Sequence, residues 1–493
     1  MASRQRHQNR VELLAGTLDM LIRQTVRWAP RLRPALSLFA LLIALAGSLP
    51  IDSAAQSALP QPSLPAELKM LVRIREKMRK NLEELPNYTC LQRIERTRLS
   101  AKARQRLEER IQQQKTEGRV AATSPLDSTD TVQVEVAFVD GKELYSWPGA
   151  DRFEERGLQE IVGFGTLSTG DFAVNARNLF VNSVARLDFA GEEDIAGRRV
   201  VRYDYAVSLF MSRYSVFDGR HDARVPYVGS IWADAATADL VRVEMRAEEV
   251  PPPLSIASVL TQVDYASVPL GETNLLLPSS ARMVMRFRTG AENANQVEFL
   301  NCREFGAESL LSFGEETRPP TSIELSLTLG EFQLPAGISL PLRLDTEINS
   351  ERAAVGDRIE ATLESAIEKG GELLAPKGSR VLGRIRRLER FADPEDYFIV
   401  ALELQELRTP NSRALLQAEL VHVNHFPGLI DRFDGASVVR TEQSVGLQGA
   451  RVEHTTVKSY SNTPLPGTGE LYIQSKRFRI PAGLRMVCRT TGR

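Results

Sequence analysis

Three cysteines, Cys90, Cys302 and Cys488, carry the best-defined chemistry in this chain of 493 residues. In an oxidising compartment two of them can form one bridge, and so low a count excludes a disulfide-dense scaffold. The histidines are His7, His221, His422, His425 and His454. His422 and His425, three apart, would suit a metal site on one face of a helix. The residues around them alternate as a strand does, which turns positions three apart to opposite faces. His221-Asp222 has no nucleophile elbow to serve, and no phosphate-cradling glycine loop or H-E-x-x-H motif occurs. Glu192, Glu193 and Asp194 fall at a predicted turn and read as solvated carboxylates. Asn87-Tyr88-Thr89 satisfies a glycosylation sequon, which is a coincidence in a chain with a bacterial type of signal. The basic run "RIRRLER" (384–390) reads as a solvated strand end and not as a nucleic-acid patch. Trp147 and Trp232 lie on predicted strands, where core packing is the default and cavity lining the sharper alternative. No residue is nominated for catalysis, metal binding or a cofactor, so the chain is expected not to be an enzyme.

These residues must be positioned by a chain too long for one core, and two or three domains are expected. Hydrophobic content of 42% and charged content of 25% are ordinary for globular proteins. A net charge of −1, from 62 basic and 63 acidic residues, supplies no field toward nucleic acid or an anionic surface. An apolar run, "ALSLFALLIALAGSL" (35–49), follows Arg27, Arg31 and Arg33 and precedes Pro50 and "SAA" (53–55). That is the order of a secretory signal, with cleavage expected near Ala55. The alternative is a retained anchor, but the run is shorter than the ~20 residues of a spanning helix. Met20 is an alternative start.

The spacing of Leu68, Leu71, Ile74, Met78 and Leu82 predicts one amphipathic helix over 64–85, stopped by Pro86. A charged insertion follows to about residue 130. From "TVQVEVAFVDGKELYSW" (131–147) onward the period becomes two, with Asp140-Gly141 marking a hairpin turn. Segments 184–207, 229–250, 259–288 and 295–305 repeat that form, while 155–182 reads as a short helix and loop. The expected class is mainly β, an antiparallel sheet with one buried face. Pro319-Pro320, in "GEETRPPTSIEL" (314–325), marks a linker. Beyond it "LPAGISLPLRLDT" (334–346) is echoed by "IPAGLRMVCRT" (480–490), so both ends of this part are expected to supply strands to one small barrel or sandwich. A Ser-, Thr- and Gly-rich stretch, 430–470, reads as a long loop. The expected domains are a 1–34 extension, the 35–55 signal, 56–313, the 314–325 linker and 326–493. Within that division the pairing that respects the boundaries is Cys90–Cys302. It would contribute about 3–5 kcal/mol through loop-closure entropy. The alternative is two buried free thiols, and Cys488 is expected buried and unpaired.

Three resemblances add to this reading. The leading helix with "VDGKELYSW", "GEEDIAGRRVVRYDY", "GSIWADAATADLVRVEM", "LLLPSSARMVMRF" and "VEFLNCREF" resembles the periplasmic outer-membrane lipoprotein-sorting carriers (LolA/LolB-like), over about residues 65–306. The resemblance implies a curved antiparallel half-barrel sheet wrapped around a helix, with an apolar cavity. "LPAG…LPLRL" and "APKGSRVLGRI", within about 333–407, resemble the β-barrel module of TrbI-like type IV secretion scaffold proteins. The membrane-spanning and assembly segments of that family have no counterpart here, so the module is carried over and the secretion function is not. "RVELLAGTLDMLIRQTVRWAP" (10–30) resembles the first helix of PadR-type regulators and stops there. It reads as a remnant or an over-extended start, and no DNA-binding function is carried over.

The expectation is a periplasmic or otherwise exported carrier or binding protein for an apolar ligand, a lipid or acyl chain. The alternative is an envelope structural or assembly protein acting through contacts of the C-terminal β module. Partners in view are accordingly a lipid or lipoprotein, or envelope proteins. No nucleic acid and no stable transmembrane span after signal cleavage are expected. An open concave face lined by Leu, Ile, Val and Phe would fit the carrier, and a filled one the assembly protein.

Overall fold

The computed structural model describes residues 64–106, 108–109, 127–154, 156–182, 184–304, 330–392, 396–430, 456–460, 465 and 467–491. The signal-like run, the PadR-like segment, the Pro319-Pro320 linker and most of the 430–470 stretch lie outside the described residues.

Helix α1 (Ala66–Glu84) starts after Pro65, carries Glu67 in its first turn and ends at extended Leu85 before Pro86. An acid near the positive end and a pre-proline residue in β geometry account for both limits. It buries Leu71, Ile74, Met78 and Leu82. Leu68 does not join that stripe: it stays exposed with Leu64 and Val72, so the buried face begins a turn later than the periodicity implied.

The sheet of the first half contains β1 (Tyr88–Leu99), β2 (Ser128–Val139) and β3 (Lys142–Ser146). An insertion follows, made of α2 (Leu158–Val162), β4 (Gly165–Thr169) and α3 (Val174–Phe180). Next come β5 (Leu187–Ile195), β6 (Arg198–Val207), the small hairpin β7 (Ser215–Phe217) and β8 (Asp222–Arg224), β9 (Tyr227–Asp234) and β10 (Leu240–Ala247). Long strands β11 (Ile256–Leu270), β12 (Thr273–Phe287) and β13 (Glu292–Glu304) complete this half. Antiparallel pairing runs β3-β2-β1-β13-β12-β11-β10-β9-β6-β5, so the last strand returns beside the first. The alternation that the sequence carries is what buries one face. Val259, Val263, Ala281, Met283, Met285 and Val297 point to the same core as α1.

The second half holds β14 (Gly330–Glu331), β15 (Ser339–Leu344), β16 (Ile348–Asn349), β17 (Arg358–Leu363), β18 (Ile367–Lys369) and β19 (Glu372–Ala375). It continues with β20 (Arg380–Phe391), β21 (Tyr397–Arg408), β22 (Ser412–Leu415) and β23 (Ala418–Val423). Its last strands are β24 (Thr456–Tyr460), β25 (Thr468–Gln474), β26 (Arg479–Ile480) and β27 (Arg485–Thr490). Here the ladder runs β23-β27-β15-β17-β20-β21-β25. Both ends of this half thus meet in one ladder, with Leu340 opposite Cys488. The rim strands β25 and β23 come close, and a Cβ on Gly469 would stand 2.3 Å from the Leu420 Cβ. No backbone ladder joins them among the described residues, so the barrel is not closed.

The two halves share one sheet of 19 strands. β2 pairs β20 at Ser128–Phe391 and Thr129–Arg390. Gln133 and Val355 donate backbone N–H bonds of 2.8 Å across the same seam, to Val355 and Thr131. From the second half β24 reaches back, pairing antiparallel with β4 and parallel with β7.

Candidate functional site: the covered concave face

The concave face of the first sheet is the place for a ligand site, and it is covered twice. α1 lies across it, with the Tyr203 hydroxyl donating to the Glu67 carbonyl and the Asn81 amide bonded both ways to the backbone of Leu276. The insertion from α2 to α3 fills the rest. Asn293 and Asn295 of β13 donate to the hydroxyl and carbonyl of Thr166, at 2.6 and 2.9 Å. Phe172 packs on Tyr88 and Phe299, with ring centroids 4.8 and 5.1 Å apart.

Glu143 holds this insertion. Its side chain is 1% exposed and accepts from the Tyr145 hydroxyl at 2.6 Å and from the N–H groups of Gly170, Ala173 and Val174 at 2.9, 3.0 and 3.4 Å. The carboxylate therefore caps the start of α3, whose first N–H groups have no partner inside the helix. Asp171 lies beside it, buried, accepting from the Asn175 amide at 3.1 Å. Burial, and then the neighbouring Glu143 charge, push the Asp171 carboxyl up to about 7. Burial also raises the Tyr88, Tyr145, Tyr214 and Tyr265 hydroxyls, so the phenols around the two acids stay neutral. Tyr88 Oη, Tyr265 Oη and Asn295 Oδ1 are buried without a protein hydrogen-bond partner.

A cavity of about 10 Å³ lies among Arg96, Asp130, Phe164 and Asn295, roughly the room one water needs. A larger hollow, about 360 Å³, lies outside, between α1 and the β9–β10 turn. Arg73, Glu76, Lys77 and Lys80 line it, and Arg73 and Lys77 donate into that turn's carbonyls. It is polar and open, unlike a site that buries an acyl chain.

The residues nominated from the sequence fall in different places. Cys90 and Cys302 are disulfide-bonded, joining β1 to β13 at an irregularity in their register. Cys488 is free and buried, and burial pushes its thiol up to about 12. Trp147 is buried at the seam between the halves, under the Arg386 guanidinium at 5.2 Å and against Gly356. Trp232 packs with Val200 and Val241 in a small separate cluster on the outer face of the sheet, its indole N–H donating to Glu193 at 2.9 Å. Neither tryptophan lines a cavity on the concave face. Glu192 and Glu193 pair with Arg199 and Arg202, and Asp194 accepts the Gly197 N–H in the turn. His422 and His425 are exposed, and no cluster of three or more metal-ligating side chains occurs among the described residues.

The basic run 384–390 is a correction. Arg384, Arg387 and Glu389 are buried where the halves meet. Arg384 donates to the carbonyls of Pro148 and Gly356, and Arg386 to that of Ile161. Glu389 takes both Arg387 and Arg98. A strand that looks solvated by composition is a charged seam, because the first half brings the Pro148 and Ile161 carbonyls to its arginines and Arg98 to Glu389.

Nothing in the sequence pointed to Asp171 or to Glu143. Alternation in "KELYS" puts Leu144 inside, whereas the structure turns Glu143 and Tyr145 inward. The residues that make this favourable, 170–174, lie across a turn and a helix.

No protein-family profile and no curated protein matches this chain. Several solved structures match weakly. A domain described as an outer membrane lipoprotein-sorting protein domain, from Vibrio parahaemolyticus, has 10% identity over 47% of this chain and 91% of its own, at a TM-score of 0.25. A DUF1329 family protein from Desulfovibrio piger has 10% identity over 49% and 93%, also at 0.25. MucB, in its own crystal structure, has 13% identity over 71% and 97%, at 0.17. Scores this low carry no functional inference, and none of these three bears on the TrbI-like or PadR-like resemblance.

Proposed function

We propose that this chain is an exported, non-enzymatic binding protein of the cell envelope that, in its closed form, meets partners through its surface and not through a cavity. The observation that carries this reading is the filled concave face, covered by α1 and by the segment from α2 to α3. Export is supported by the Cys90–Cys302 bridge, which persists in oxidising compartments, and by the signal-like run at 35–55. The buried acids Glu143 and Asp171 are engaged in holding backbone and an amide, which supports a structural use for them.

The test is to purify the mature chain near pH 6, extract it with organic solvent and analyse the extract by mass spectrometry, alongside crosslinking in intact cells. Reproducible crosslinks to envelope proteins with no stoichiometric lipid are expected. One lipid per chain would overturn the reading in favour of the carrier. That second reading has one observation of its own: buried polar atoms, among them Tyr88 Oη, Tyr265 Oη and Asn295 Oδ1, lack protein partners where the cover meets the sheet. An unpaired buried group costs about 1–3 kcal/mol, which fits a cover that is not permanently seated.

A further inference from the structure

Leu209, Phe210 and Met211, in the turn between β6 and β7, stand in solvent, 50%, 88% and 43% exposed. Elsewhere among the described residues the exposed large apolar side chains are separated in sequence, as Leu373 and Leu415 are. Single exposed apolar residues are ordinary on a protein surface; three in succession at one turn are not. The turn is also firmly built. The Ser208 carbonyl accepts from the N–H groups of Met211 and Ser212, at 3.1 and 2.8 Å. Ser212 is buried, its hydroxyl donating to the Val225 carbonyl and accepting the Tyr214 N–H. Tyr214, buried in turn, packs edge-on against Tyr227, with ring centroids 5.7 Å apart. The base of the turn is thus fixed in the core, and its three apolar side chains are held outward.

We propose that this turn is a membrane-surface tip: Leu209, Phe210 and Met211 enter the headgroup boundary of an anionic bilayer, with Arg213 and Arg224 against its phosphates.

The residues beside the tip favour a bilayer. In the hairpin that follows, Tyr214, Val216 and Val225 are buried, so alternation turns Arg213 and Arg224 to the solvent face, where both are exposed. Neither has a carboxylate partner among the described residues. The acids of the hairpin lie at its far end. Asp218 accepts the N–H groups of Arg220, His221 and Ser255, and Asp222 stands opposite Phe217. Glu248 and Glu249 follow β10, which is two strands from β6. Apolar side chains flanked by guanidinium groups match a lipid surface, with acyl chains below and phosphates above. The net charge of −1 on the whole chain does not oppose this, because salt confines the attraction to charges within about 8 Å of the surface. Three side chains at a tip fall short of the roughly 800 Å² a side of a specific protein interface, whereas a bilayer closes around any apolar tip that reaches it. The contact leaves the concave face filled. It therefore goes beyond the proposed surface binding and needs no stoichiometric lipid.

The experiment is co-sedimentation of the intact mature chain with vesicles of phosphatidylcholine, with and without phosphatidylglycerol. Wild type is expected to bind the mixed vesicles. Phe210→Ser is expected to bind them on the order of tenfold more weakly. Arg213→Glu combined with Arg224→Glu is expected to bind them several-fold more weakly, with little change on phosphatidylcholine alone. Leu373→Ser, at an exposed position of β19, is expected to bind as wild type does. Phe210→Trp reports insertion: against the background of Trp147 and Trp232, its emission is expected to shift to the blue on vesicles and to be quenched by lipids brominated on the acyl chain. All these positions are exposed, so the variants are expected to melt as wild type does. No binding by wild type overturns the proposal, and so does binding that Phe210→Ser leaves unchanged. Crosslinks from position 210 to an envelope protein, without vesicle binding, overturn it in favour of protein docking.

Discussion

Asp171 and Glu143 are neighbouring buried acids. The Asp171 carboxyl is raised to about 7 when folded, above its unfolded value near 3.9. The folded chain thus holds a proton that the unfolded chain releases. The contribution of Asp171 to stability is fully present below about pH 4 and is lost as pH rises through about 7. Asp171→Asn should therefore be more stable than wild type at pH 8, by up to a few kcal/mol, with the difference shrinking toward pH 5. Urea midpoints across that range would check it; parallel curves would refute it. Glu143 accepts from four donors. Glu143→Ala strips partners from three buried N–H groups and a hydroxyl, and should destabilise by about 2–4 kcal/mol. Thermal melts of the variant beside wild type would measure the loss.

At the scale of elements, two connections hold strands that the chain separates widely. Cys90 and Cys302 are 212 residues apart in sequence, and their bridge ties β1 to β13 along an existing ladder. Replacing both by serine should lower stability by about 3–5 kcal/mol on the chain-entropy account. Reductant should reproduce that loss in wild type and leave the double variant unchanged. Gly356 supports the seam between halves. Its φ is +103°, and a Cβ there would stand 2.4 Å from the Gln133 carbonyl oxygen and 2.8 Å from the Trp147 ring. Both are fixed, one by the backbone and one by Arg386. Gly356→Ala should lower stability by about 2–4 kcal/mol and increase Trp147 fluorescence accessibility to acrylamide.

For the whole molecule, the halves are joined by strand pairing, by the β24 reach-back and by the Arg98–Glu389 ion pair. One cooperative unfolding transition is expected, with calorimetric and van't Hoff enthalpies equal. Two resolved transitions would mean that the seam contributes little. Much of the first half was readable: the helix over 66–84, the hairpin at Asp140-Gly141 and the alternation of β9 to β13 follow from local spacing and turn chemistry. The run 384–390 was not, because the Pro148 and Ile161 carbonyls that its arginines reach, and the Arg98 that pairs with Glu389, lie 225 to 291 residues away in sequence. Trp232 was equally opaque, since alternation says that a side chain faces one side of a sheet and not which side is concave. By itself the sequence determined period, turns and the mainly β class, all set by residues a few positions apart. Only the tertiary structure decided that the concave face is covered, that Glu143 turns inward, and that Asp171 shares its dry site. Those outcomes depend on which distant backbone donors arrive beside a given carboxylate, and that is fixed by the path of the whole chain.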